Sequence, residues 1–134
     1  MHDDIATFQW GLTMLDHIGI PVSDLAVSRT FYARALAPLG AGVVMESNDA
    51  VGFGKAGKPQ FWIGASIMAL SPVHIAFTAT RAEVDAFYVA AIQAGGRDNG
   101  PPGLRPHYHP SYYAAFVLDP DGHNVEAVCH APQN

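Results

Sequence analysis

The chain has 134 residues, 49% of them hydrophobic and 14% charged, which fits one globular domain and excludes extended disorder. Seven Lys and Arg against twelve Asp and Glu leave a net charge of −5, which argues against nucleic acid and anionic membrane as partners. The longest apolar run, residues 62–70, is far too short to span a bilayer, and the acidic start (His2, Asp3, Asp4) has no signal-peptide character.

Residues 1–13 read as an N-terminal extension that packs on the surface or on a partner, and the fold proper is expected over 14–134. A strand over 15–22 ends near Pro21. Ser23 is then the expected cap of a helix over 25–37, stopped by Pro38 and Gly40. Short strands follow over 43–46, 50–54 and 60–63, joined by turn-forming residues. A second strand, 73–79, leads into Thr80-Arg81-Ala82-Glu83, which has the form of a capping box. The helix it opens runs to Ala94 and meets Gly95-Gly96. Residues 98–110 read as a loop. Strands over 112–118 and 124–129 close the chain around the turn Asp119-Pro120-Asp121-Gly122. Cys129 reads as a small core residue, and a lone cysteine leads to the expectation of a reducing, cytoplasmic setting.

The sequence also matches itself. At an offset of 57, His17-Ile18 matches His74-Ile75 and Val27 matches Val84. At 56, Phe31-Tyr32 matches Phe87-Tyr88, Ala35 matches Ala91 and Gly40 matches Gly96. Chance gives about one or two identities over such a stretch. The chain therefore reads as two copies of a strand–helix–three-strand unit, module 1 over 14–70 and module 2 over 71–134.

Each copy places a histidine in the middle of its first strand. Alternation puts Val73, Ile75 and Phe77 on one face and His74, Ala76 and Thr78 on the other. His17 shares the corresponding face with Gly19, and Asp16 is expected to face away from it. Glu126 sits among apolar neighbours, where a carboxylate is costly unless paired or bound to metal. Two imidazoles and a carboxylate form a set that suits Fe, Mn, Ni or Zn with positions left open for substrate. The plainer readings are core or surface histidines and a charge on an edge strand. His107-Tyr108-His109-Pro110-Ser111-Tyr112-Tyr113 adds imidazoles and phenols before the last hairpin. Tyr108, His109 and Tyr113 are its candidates for orienting substrate or moving protons. The alternative is solvated loop histidines and ordinary strand tyrosines.

The segments His17-Ile-Gly-Ile-Pro-Val-Ser-Asp-Leu, Phe31-Tyr32, His74-Ile-Ala-Phe and Asp119-Pro-Asp-Gly-His-Asn-Val-Glu126 resemble the vicinal oxygen chelate superfamily. That group includes glyoxalase I, bleomycin- and fosfomycin-resistance proteins and extradiol dioxygenases. The resemblance implies an α+β fold of two tandem βαβββ modules forming a cupped mixed sheet around a divalent metal, commonly in a homodimer. It places the metal ligands at His17, His74 and Glu126. Residues 5–13, with Phe8 and Trp10, are expected at or near the dimer contact. Trp62 falls opposite Glu126 where glyoxalase I relatives carry a glutamate, which argues against that reaction. The implied activity is a metal-dependent reaction on a small substrate chelated through vicinal oxygens, extradiol-dioxygenase-like or lyase- or transferase-like. The rival is a metal-free protein of the bleomycin-resistance kind that sequesters small molecules.

Overall fold

The computed structural model describes residues 14–68 and 70–132, so the extension expected over 1–13, with Phe8 and Trp10, lies outside the described residues. The first half folds as β1 (Ile18–Val22), α1 (Leu25–Ala35), a 3-10 turn (Ala37–Leu39), β2 (Gly42–Glu46), β3 (Ala50–Lys55) and β4 (Lys58–Ala65). The second half repeats the order with β5 (His74–Thr78), α2 (Arg81–Gln93), β6 (Arg97–Asp98), β7 (Gly103–Leu104), β8 (Tyr113–Leu118) and β9 (Asn124–Cys129). Each half builds one mixed sheet, β1-β4-β3-β2 and β5-β9-β8-β6, with β7 also on β8. In both, the first strand runs parallel to the last, and the remaining pairs are antiparallel. The architecture is α+β, two tandem βαβββ units.

Several local expectations are corrected. The ladder of β1 starts at Ile18↔Phe61, so His17 stands one residue before the strand, and His74 opens β5 rather than lying at its centre. Asp24, not Ser23, caps α1, accepting from the Val27 N–H at 3.0 Å. The Ser23 hydroxyl is engaged elsewhere, donating to Asp121 Oδ1 at 2.5 Å. Asp24 then corresponds to Thr80, whose capping box with Glu83 is complete, so the slip between the repeats falls before the helices and the match of exposed Val27 with buried Val84 is not a structural equivalence. The stretch read as a loop over 98–110 carries two short pairings onto β8. Residues 56 and 57 form a two-residue hairpin turn with φ of 52° at Ala56 and 76° at Gly57, which matches the twist of the strands they join.

Both helices lay their apolar stripes on the sheets. Phe31, Tyr32 and Ala35 of α1, with Val84, Phe87 and Ala91 of α2, are buried against Phe53, Phe61, Ile63, Val117 and Val125. Each such large side chain contributes about 2–3 kcal/mol. Gly96 makes the close approach possible, since a Cβ there would fall 2.4 Å from Val117 and 2.9 Å from Phe31. The halves meet through these residues and through the edge-on rings of Phe61 and Phe77, 5.2 Å apart. Among the described residues no helix is long and apolar enough to cross a membrane.

Candidate metal centre

The two sheets carry equivalent rows. In the first, Gly19 of β1, Trp62 of β4 and Gly52 of β3 stand side by side. In the second, Ala76 of β5, Glu126 of β9 and Phe116 of β8 do so. Gly19 and Ala76 are repeat equivalents, so Trp62 occupies the place that Glu126 holds in the other half.

Glu126 is 1% exposed, and each of its carboxylate oxygens has a partner. The Tyr112 hydroxyl donates to Oε2. His74 Nε2 lies 2.9 Å from Oε1. The other ring nitrogen of His74, Nδ1, lies 3.0 Å from the Asn124 carbonyl, which can only accept, so Nδ1 carries a proton. In a neutral ring Nε2 then aims a lone pair at a carboxylate oxygen. Two lone pairs do not face each other at that distance unless a proton or a metal cation lies between them. Two donor atoms at right angles, each about 2.0–2.2 Å from one ion, lie about 3.0 Å apart, so the pair fits adjacent positions around a single metal.

His17 is arranged the same way. Its Nδ1 lies 2.9 Å from Asp16 Oδ1, and Asp16 in turn accepts from Lys58 Nζ at 2.9 Å. Asp16 therefore faces His17, contrary to the expectation from strand alternation, because neither residue is in the strand. The His17 contact and then Lys58 hold the Asp16 carboxyl below its ordinary range. Both histidines thus have Nδ1 engaged by an acceptor, which leaves Nε2 for a ligand, the usual arrangement of metal-binding imidazoles. His17 and His74 line one cleft of about 570 Å³, together with Asp16, Phe77 and Thr78. The structure brings His74 and Glu126 into contact. His17 is not among any three ligand groups lying within 4.8 Å of one another among the described residues.

The three groups that do lie so close are Asp119, Asp121 and His123, a spacing that could hold a cation. Their atoms, however, are already engaged. Asp119 accepts from Tyr32 Oη at 2.5 Å and from the Asp121 and His123 N–H groups. Asp121 accepts from the Ser23 hydroxyl and N–H. His123 accepts from the Val73 N–H at Nδ1 and donates from Nε2 to the Pro21 carbonyl at 2.8 Å. Every one of the three reaches module 1, so the turn clasps the two halves together. The sequence marks a turn here, but nothing in it singles out His123, which is fully buried.

Of the predicted chemistry-bearing residues near the last hairpin, Tyr113 points away, donating to Asp85 of α2 at 2.6 Å beneath the Arg81 guanidinium. The residue missed is Tyr112. Its place follows from the β8–β9 register, in which Phe116 pairs with Glu126 and Tyr112 lies four residues before Phe116, on the same face. Burial, then the bond to Glu126, pushes its hydroxyl up to about 12. Tyr108 stacks edge-on to Tyr112 at 4.9 Å, and His130 does so at 5.1 Å. His109 accepts the Ser111 N–H at Nδ1, so its Nε2 donates to His130 Nδ1 at 3.0 Å. Tyr108 and His109 therefore touch Tyr112 rather than Glu126.

Residues 14–127 match the family model of the Glyoxalase/Bleomycin resistance protein/Dioxygenase superfamily, and the chain belongs to that superfamily. Among solved structures, a glyoxalase/bleomycin resistance protein from Albidiferax ferrireducens is 29% identical with a TM-score of 0.76, covering 90% of this chain and 100% of its own. A glyoxalase/bleomycin resistance protein/dioxygenase family enzyme from Burkholderia phytofirmans is 21% identical with a TM-score of 0.67, covering 89% and 100%. The oxidase ChaP-H1 is 20% identical with a TM-score of 0.67, covering 90% and 97%. No curated protein matches the sequence.

Proposed function

We propose that the chain is a metal-dependent enzyme acting on a small substrate that chelates the metal through two neighbouring oxygens. His17, His74 and Glu126 are the ligands. The observation that carries this reading is the His74–Glu126 contact, in which a buried carboxylate oxygen and the free ring nitrogen of His74 converge at 2.9 Å, a spacing that adjacent ligands of one ion would have. A divalent ion bound there would supply Lewis acidity to a chelated enolate or catecholate. The chain's own residues do the rest. Asp16 and the Asn124 carbonyl fix the ring orientations, and Tyr112 occupies one oxygen of Glu126 so that the other is left for the site. The cleft that His17 and His74 both line supports a site built within one chain. Trp62 in place of a second carboxylate speaks against a glyoxalase I reaction, and the likeness to an oxidase keeps dioxygen chemistry as the sub-reading when the metal is iron.

A homodimer is part of the proposal. β1 and β5 end their sheets, and Met14, Leu15 and Ile18 leading into and opening β1 are exposed apolar residues that a partner would cover.

Elemental analysis of gently purified protein, followed by calorimetric titration with Fe²⁺, Mn²⁺, Ni²⁺ and Zn²⁺, tests the reading. At least one ion should bind at one site per chain, and His74→Ala should abolish binding while the circular dichroism spectrum is kept. Affinities all weaker than about 1 mM, or His74→Ala binding as well as the parent, would favour the metal-free binder instead.

A further inference from the structure

We propose that the indole of Trp62 is the floor of a subsite for a flat aromatic ring of the substrate, beside His17. This rests on the functional reading above for the role of His17. Trp62 is flanked at its own register by glycines on both neighbouring strands, Gly19 and Gly52. The indole lies across Gly52, where a Cβ would come within 2.9 Å of the ring and displace it. Gly19 places no side chain over the Trp62 stem, its nearest approach being 3.6 Å from a built Cβ to the Trp62 Cβ. One face of the indole therefore rests on backbone, and the residue lines an open hollow with His17, Gly19, Pro21, Ala50 and Ser66.

The equivalent row in the other half shows what this arrangement replaces. There the positions hold Ala76, Glu126 and Phe116, and Phe116 stacks with His74 at 6.2 Å. One half thus offers a buried carboxylate, and the other offers a π face at the matching place. A compact polar substrate would use only the first and leave the indole against water. A planar ring seated in that hollow gains an offset or edge-on contact with the indole beside His17, the ligand that lines both the hollow and the cleft shared with His74.

The sequence contains two tryptophans, so Trp10→Phe makes Trp62 the sole emitter. Two probes are titrated into Zn²⁺-loaded and metal-free protein: 2,3-dihydroxynaphthalene, which has a ring, and oxalate, which has vicinal oxygens without one. The diol should quench Trp62 emission, and oxalate should not. Trp62→Ala should bind the diol about tenfold more weakly, the size of one aromatic contact, with oxalate affinity unchanged. Trp62→Phe should recover most of the loss and guards against a merely misfolded variant. Unchanged diol affinity in Trp62→Ala, or equal loss of both probes in both variants, overturns the subsite. If no metal binds yet the diol quenches Trp62 and Trp62→Ala loses it, the subsite stands and the metal reading fails. If metal binds but the diol leaves Trp62 emission unmoved, the metal reading stands and the subsite fails.

Discussion

The Tyr32 hydroxyl of α1 donates to Asp119 Oδ2 at 2.5 Å, joining two buried groups that lie 87 residues apart in the sequence. This bond, with Ser23–Asp121 and His123–Pro21, ties the first module to the hairpin turn of the second. Burial, and then the neighbouring Asp119 carboxylate, raise the Tyr32 hydroxyl far above its ordinary value, so it stays a donor under all native conditions. Asp119→Ala would strand that hydroxyl and the N–H groups of Asp121 and His123, and should destabilise the chain by about 3 kcal/mol. Thermal melts read the loss directly. Because the clasp atoms are already engaged, Ca²⁺ or Zn²⁺ should not raise the melting temperature of a His74→Ala chain. A rise would show that Asp119, Asp121 and His123 hold an ion after all.

Ala56 adopts a φ of 52° in the β3–β4 hairpin, a conformation that disfavours a Cβ and suits asparagine or glycine. Ala56→Asn should stabilise by about 0.5–1 kcal/mol without changing ligand binding, since residue 56 is exposed on the turn. Denaturant midpoints compare the two chains, and an unchanged or lower midpoint counts against a type I′ turn.

The repeat made most of this fold legible. Internal identities set the two βαβββ units, and the turn before β9 announced the last hairpin. What escaped depended on tertiary contacts. Ser23 has the chemistry of a cap, but Asp121 from the other module takes its hydroxyl, and the cap passes to Asp24. β6 and β7 are two residues each, too short for any hydrophobic period, and exist because β8 presents a free side. Of the candidate ligands, His74 and Glu126 stand out in the sequence from their places in strands. Tyr112 does not stand out, because a run of His and Tyr gives no order of importance until the β8–β9 register pairs Phe116 with Glu126 and alternation then puts Tyr112 on that face.

That register leads to a pH prediction. The Tyr112 hydroxyl, raised from an ordinary 10.0 to about 12, holds its proton more tightly in the folded chain than in the unfolded one. The stability linked to it is fully present below pH 10 and is lost as pH climbs from about 10 to about 12. Tyr112→Phe should therefore flatten part of the alkaline fall in unfolding free energy. Tyr32, Tyr88 and Tyr113 are raised as well, so the difference between the two proteins isolates Tyr112. Identical alkaline slopes would mean that the Tyr112–Glu126 bond is not made in solution.

If His17 and His74 serve one site within a chain, two defective chains cannot repair each other. An equimolar mixture of His17→Ala and His74→Ala, unfolded and refolded together, should bind no more metal than either alone. A site shared between protomers would instead restore one intact set in each mixed dimer, up to about a quarter of parental binding for random pairing. Calorimetric stoichiometry separates the two arrangements.

The last prediction follows from the His74–Glu126 contact. With Nδ1 donating to the Asn124 carbonyl, Nε2 and Glu126 Oε1 at 2.9 Å need a positive charge between them, and without metal that charge is a proton. Metal entry must displace it, because the ion takes both lone pairs. Protons and the ion therefore compete for these lone pairs, and affinity should fall as pH is lowered. Titrations in two buffers of different ionisation enthalpy read the number of protons released. Glu126→Gln offers an amide that can donate to Nε2, so its apo form needs no bridging proton and should release fewer on whatever metal it still binds. A parent chain that loads metal with no proton release, or with affinity rising on acidification, would show that the two side chains are held apart in solution and do not form the paired ligands inferred from their geometry.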